Sequence, residues 1–123
     1  MKLGGTRMKF IEKERTVSKA DVSVYPQKNG NGVSFTFRNG AAMIMTKSGY
    51  IVVAMVGDKL YFKESTSDRG YKVTKKNQVK VESRYCYISN NDLRSWALTR
   101  KGDYRLHLDS KEKLYYIDTA ERI

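Results

Sequence analysis

The chain has 123 residues, a net charge of +11, one cysteine, one histidine and one proline. That length supports one domain, or two small halves sharing a core. The ordinary apolar content and the lack of low-complexity runs exclude a disordered chain, and no apolar stretch approaches the roughly 20 residues of a spanning helix.

No signal peptide is visible, and the basic N-terminus MKLGGTRMKF leaves Met1 and Met8 both open as the natural start. Cys86 has no partner for an internal disulfide, so the cytoplasm is the expected compartment. The charge exceeds what solubility requires. It is spread as six basic against two acidic groups over residues 1–19, five against three over 20–66, and thirteen against eight over 67–123. Such an excess points to a polyanion, nucleic acid first.

Residues 1–19 read as a flexible basic arm with few large apolar side chains, Phe10 and Ile11 among them. A first half, 20–66, opens with a strand at 20–25, where Val22 and Val24 alternate with polar neighbours. Turn chemistry follows in PQKNGNG, and a second strand at 33–38 sets Val33, Phe35 and Phe37 on one face. Asn39 suits a helix N-cap, residues 41–47 a short helix, and Gly49 its left-handed stop. A hairpin at 50–64 completes the half.

Ser65 to Gly70 is a turn-rich boundary, and the same order then returns over 71–118. Tyr71 to Lys75 is a strand, and Gln78 to Ile88 a long one with Val79, Val81, Tyr85 and Tyr87 inward. Ser89 or Asn90 caps a helix carrying Leu93, Trp96 and Ala97 on one face; Arg100 and Lys101 close it before Gly102. A hairpin at 103–118 ends the half.

The two hairpins echo one another. At a shift of 54 positions, Tyr50, Lys59, Leu60 and Tyr61 fall on Tyr104, Lys113, Leu114 and Tyr115. The expected fold is therefore mostly β with two short helices: an internally duplicated strand–strand–helix–hairpin unit closing a small barrel-like body. The remaining core positions expected are Ile44, Val52, Ala54, Phe62, Val73, Leu106, Leu108 and Tyr116, with Leu60 and Leu114. Ile51, Val53 and Met55 then face outward and need cover, from the N-terminal arm or a second chain.

The second half, through YISNNDLRSWALTRKGDYRLHLDSKEKLYYI, resembles the AbrB/MazE/SpoVT family of swapped-hairpin DNA-binding proteins. The resemblance departs at Ser89 and Asn90, where that family usually has proline, and the first half follows it only in element order. It implies DNA gripped by the first turn, the second strand and the helix start: Lys75, Lys76, Lys80, Arg84 and Arg94, with Lys28 and Arg38 as first-half counterparts. Independently of it, Lys72, Lys75, Lys76 and Lys80 cluster around one turn, and Arg100 and Lys101 extend the cationic set.

Catalytic groups are not expected. His107 alternates with leucines and faces outward, Cys86 reads as a small half-buried residue, and the carboxylates form no pair. No cofactor or metal is expected. The leading expectation is a non-enzymatic, double-stranded DNA-binding regulator. One alternative binds single strands through exposed tyrosines, Tyr61 and Tyr115 with Tyr25, Tyr50, Tyr71 and Tyr104 adding to the supply; another is a phage-type inhibitor that binds a nucleic-acid enzyme.

Overall fold

The computed structural model describes residues 20–44, 47–75 and 83–123. The protein is mostly β with two short helices. Its strands are β1 (Val22–Pro26), β2 (Gly32–Arg38), β3 (Tyr50–Val56), β4 (Lys59–Glu64), β5 (Tyr71–Lys75), β6 (Ser83–Ser89), β7 (Gly102–Tyr104), β8 (His107–Asp109) and β9 (Leu114–Asp118). Helix α1 (Asn39–Ile44) follows β2, and α2 (Asn91–Ala97) follows β6. Asn90 caps α2 by accepting from the Leu93 amide at 2.9 Å.

The strands form one antiparallel sheet in the order β7-β1-β2-β6-β5-β3-β4-β9-β8. Tyr104 in β7 and His107 in β8 stand three residues apart in sequence, yet their strands lie at opposite ends of the sheet. Three residues span at most about 10 Å. The sheet therefore curls until its two ends nearly meet. Asp21 pins the break: its amide donates to the Tyr104 carbonyl at 3.0 Å, and its carboxylate accepts from the Leu106 amide at 2.9 Å.

The core fills the inside of the curl. Phe62 of β4 meets Phe35 and Phe37 of β2 edge-on, with centroids 6.0 and 5.4 Å apart. Val22, Val24, Val33, Leu60, Leu93 and Ala97 pack around them, and Trp96 leans on the cluster. The Trp96 indole donates to the Gly57 carbonyl at 2.8 Å, which ties α2 to the β3–β4 turn.

Three strand phases differ from the expected ones. In β3, Ile51 is wholly buried and Val53 packs on the core, whereas Ala54 is exposed; Met55, opposite the buried Leu60, shares the phase of Ile51 and Val53 although it is 39 % exposed. The turn at Gly57–Asp58 sets Val56 opposite Lys59, and this register puts Val53 opposite Phe62. Directly paired residues share a face, so Val53 must follow Phe62 inward. In β6, Cys86 and Ile88 are buried while Tyr85 and Tyr87 are exposed, because Cys86 sits opposite Phe35 and Ile88 opposite Val33. Cys86 is therefore a core residue, not a half-buried one.

The third difference is the hairpin at 103–118, which is split between the two ends of the sheet. Tyr104 and Ile117 are buried, Tyr115 packs on the core, and Leu108 is exposed. The residue echo at 54 positions pairs unlike environments: Val53 is inward and its counterpart His107 lies on the outer face beside Tyr116. The pairing order behaves differently. Exchange β1 with β5, β2 with β6, β4 with β9, and β3 with the split β7/β8, and every strand pairing maps onto another or onto itself. Ile44, Val79 and Val81, also expected in the core, have side chains outside those described.

Candidate nucleic-acid interface

The outer face of β7, β1, β2, β6 and β5 is built by simple alternation. Val22 and Val24 point inward, so Ser23 and Tyr25 point outward; in β6 the inward Cys86 and Ile88 leave Tyr85 and Tyr87 outward. The registers align these residues in rows across the strands. One row runs Asp103, Ser23, Thr36, Tyr85, Thr74. The next contains Tyr25, Ser34 and Tyr87. Continuing the β1–β7 register by one step places Lys101 beside Tyr25; Lys72, paired with Tyr50 of β3, lies one residue past the last β5–β6 pair, Val73 with Cys86, on the Tyr87 side of that ladder. The Lys101 ammonium lies 5.7 Å from the centre of the Tyr25 ring, in agreement with that placement.

The rings on this face are held. Tyr87 lies across Gly32, where an added β-carbon would sit 1.9 Å from the tyrosine hydroxyl, and that hydroxyl donates to Gln27 Oε1 at 3.0 Å. The Tyr25 hydroxyl donates to Asp103 Oδ1 at 3.4 Å. Arg38 donates to the Ser23 hydroxyl, which itself donates to Asp103 Oδ1, so a cation is linked to the one carboxylate of these rows.

The sequence-derived cations separate into groups. Lys28, Lys72 and Lys101 are exposed, and Arg38 is half-buried; all four belong to this face or to the β1–β2 loop at its end. Lys75 stands opposite Arg84 in the β5–β6 ladder, and Arg84 shares the inward phase of Cys86. Lys76 and Lys80 lie outside the described residues. Arg94 and Arg100 make internal contacts instead of forming an open ridge. Arg94 donates to the Gln27 carbonyl at 3.0 and 3.3 Å and to the Lys28 carbonyl at 3.3 Å, fastening the β1–β2 loop. Arg100 pairs with Asp58 at 2.9 Å, donates to the Trp96 carbonyl at 2.9 Å, and lies 4.8 Å over the Trp96 ring.

A second aromatic group occupies the outer face of β4, β9 and β8. Tyr61 and Tyr116 are opposite one another with centroids 5.3 Å apart, and His107 lies 5.3 Å from Tyr116 on its other side. Tyr115, expected on this face, is turned inward. Here acids are prominent. Asp109 accepts from the Tyr61 hydroxyl at 3.2 Å, Glu121 contacts His107 at 3.0 Å, and Asp118 sits opposite Lys59. Partial loss of solvent, followed by the Asp109 carboxylate, pushes the Tyr61 hydroxyl above the usual tyrosine range. The Glu112 amide is the largest influence holding Asp109 below the usual carboxylate range. This acid-rich face suits a polyanion less well than the first.

Of the exposed trio Tyr25, Tyr85 and Tyr87, Tyr25 was among the tyrosines the sequence offered for stacking, and the outward pair Tyr85 and Tyr87 was missed. Alternation in YCYI puts the two tyrosines on one face, and the register with β2 decides that this face is the outer one. Among the described residues no group of three or more His, Cys, Asp or Glu could hold a metal, and no helix is long and apolar enough to cross a membrane. No protein family, curated protein or solved structure matches the chain.

Proposed function

We propose that the chain is a small, non-enzymatic nucleic-acid-binding protein, DNA favoured, acting through the outer face of β1, β2, β5 and β6. The observation that carries this reading is the placement of Lys28, Lys72, Lys101 and Arg38 about one tyrosine-bearing face in a chain of net charge +11. Such groups neutralise phosphates and position a strand without reading its sequence.

Against a duplex reader stands Arg94, whose guanidinium holds Gln27 and Lys28 instead of presenting a fork for guanine. The exchange-symmetric pairing order supports the finer proposal of two divergent copies in an AbrB-like, swapped-hairpin body. A reducing cytoplasm fits the lone buried thiol of Cys86.

The test is a salt titration on duplex and single-stranded DNA with wild type and the triple variant Lys28→Ala, Lys72→Ala, Lys101→Ala. Losing three phosphate contacts flattens the slope of log affinity against log salt by roughly 2–3 units. An unchanged slope, or a wild type that binds neither form at low salt, rejects the reading and moves a protein partner to first place.

A further inference from the structure

We infer that the row Lys101, Tyr25, Ser34, Tyr87, Lys72 is a stacking platform for the unpaired bases of a single-stranded nucleic acid. The inference rests on the nucleic-acid reading above and specifies its substrate class. Tyr25 and Tyr87 are 39 % and 41 % exposed, unusually open for large rings in the middle of a sheet. They stand two strands apart, roughly 10 Å, with the small Ser34 between them.

The rings are prepared rather than loose. Tyr87 lies against Gly32, which has no side chain to displace it, and Gln27 fixes its hydroxyl. Tyr25 is tethered through its hydroxyl to Asp103. Ordering these side chains in advance reduces the entropy lost on binding. Tyr85, 36 % exposed, extends the aromatic surface two residues along β6.

Charge selects the occupant. The row has a lysine at each end, and Lys28 is exposed on the loop that Arg94 fastens beside Tyr87's partner Gln27. A cation–aromatic–small–aromatic–cation row matches a chain that alternates phosphates with flat bases. A duplex keeps its base faces inside the stack and offers this row only phosphates, so the rings add affinity for unpaired strands alone.

The experiment uses the full chain with Tyr25→Leu, Tyr87→Leu and the double variant, which keep apolar bulk at exposed positions. Each is titrated with fluorescent oligo-dT and oligo-rU of about 12 nucleotides, within the site sizes of such platforms, and with a DNA duplex of equal length. Each single variant weakens single-strand binding about 10-fold and the double variant more, while duplex binding and the salt slope stay as in wild type. Tyr87→Phe keeps the ring and most of the affinity, which separates stacking from loss of the hydroxyl. Single-strand affinity that survives the double leucine variant, or falls equally for duplex and single strand, overturns the platform while leaving the electrostatic reading intact. A wild type that binds none of the three probes overturns the electrostatic reading itself, and the platform with it.

Discussion

Gly32 and Tyr87 are a fitted pair: a β-carbon on Gly32 would lie 1.9 Å from the Tyr87 hydroxyl and 2.0 Å from the adjoining ring carbon. No side chain fits there unless the ring swings away. Gly32→Ala therefore displaces Tyr87 from its seat and from Gln27. Because the ring is on the surface, the chain still folds, with a loss of about 1 kcal/mol. Thermal melting measures that loss, and oligo-dT binding should weaken as it does in Tyr87→Leu.

Arg94 gives a prediction that separates a structural arginine from a base reader. Its hydrogen bonds to the Gln27 and Lys28 carbonyls are charge-assisted, and removing them leaves the β1–β2 loop held by its ladder end, by the Tyr87 hydroxyl on Gln27 and by the Asn90 amide on the Asn31 carbonyl. Arg94→Ala should cost about 1–2 kcal/mol and speed amide exchange through residues 27–31. Preference among duplex sequences should not change. A base-reading arginine would give the opposite pattern, altered preference with unaltered loop exchange.

The phase of β3 was legible, but not from β3 itself. Tyr50 to Val56 is apolar at every position, so alternation carries no signal there. Counting through the two-residue turn Gly57–Asp58 does carry one: it sets Val53 opposite Phe62 and Met55 opposite Leu60. In β6 the ambiguity is real, because Tyr85 and Tyr87 are as apolar in bulk as Cys86 and Ile88. Only the partner strand β2, with Phe35 and Val33 opposite the latter pair, decides it. The break at Arg105–Leu106 depends on Asp21, 85 residues before Leu106, which no local pattern could reveal. The helices were readable because their signals are local, Asn90 at the cap and Leu93 with Ala97 on the buried face. Of the interface, the separate cations were readable, but their gathering around Tyr25 and Tyr87 depends on four strand registers.

That corrected phase is testable with one charge placed on each face. Ile51 is wholly buried and Ala54 is exposed. Ile51→Asp forces a carboxylate into the core and should cost more than about 4 kcal/mol, enough to unfold a domain of ordinary stability. Ala54→Asp should stay within about 0.5 kcal/mol of wild type. Circular dichroism and denaturant melts of the two variants check the assignment; an Ala54→Asp variant less stable than Ile51→Asp would mean that the faces are reversed, and equal stability would reject the assignment.

Cys86 gives the pH prediction. Burial between Phe35 and Val73 in the sheet pushes its thiol from an ordinary 9.0 up to about 12. A group whose folded pKa is raised adds stability fully present below its unfolded pKa. That contribution is lost as pH rises through the interval up to the folded value, because the unfolded chain ionises first and is favoured. Wild type should therefore lose stability between pH 9 and about 12 more steeply than Cys86→Ala, although the variant is less stable at neutral pH from the cavity it leaves. Tyrosines and lysines titrate in the same window in both proteins, so the difference between the two melting curves isolates the thiol. The same burial predicts that a thiol reagent modifies the native protein at pH 8 only at the rate of opening, and rapidly once denaturant unfolds it. Parallel pH profiles for wild type and variant, or fast labelling of the native chain, would place Cys86 outside the core and with it the phase of β6 on which Tyr85 and Tyr87 depend.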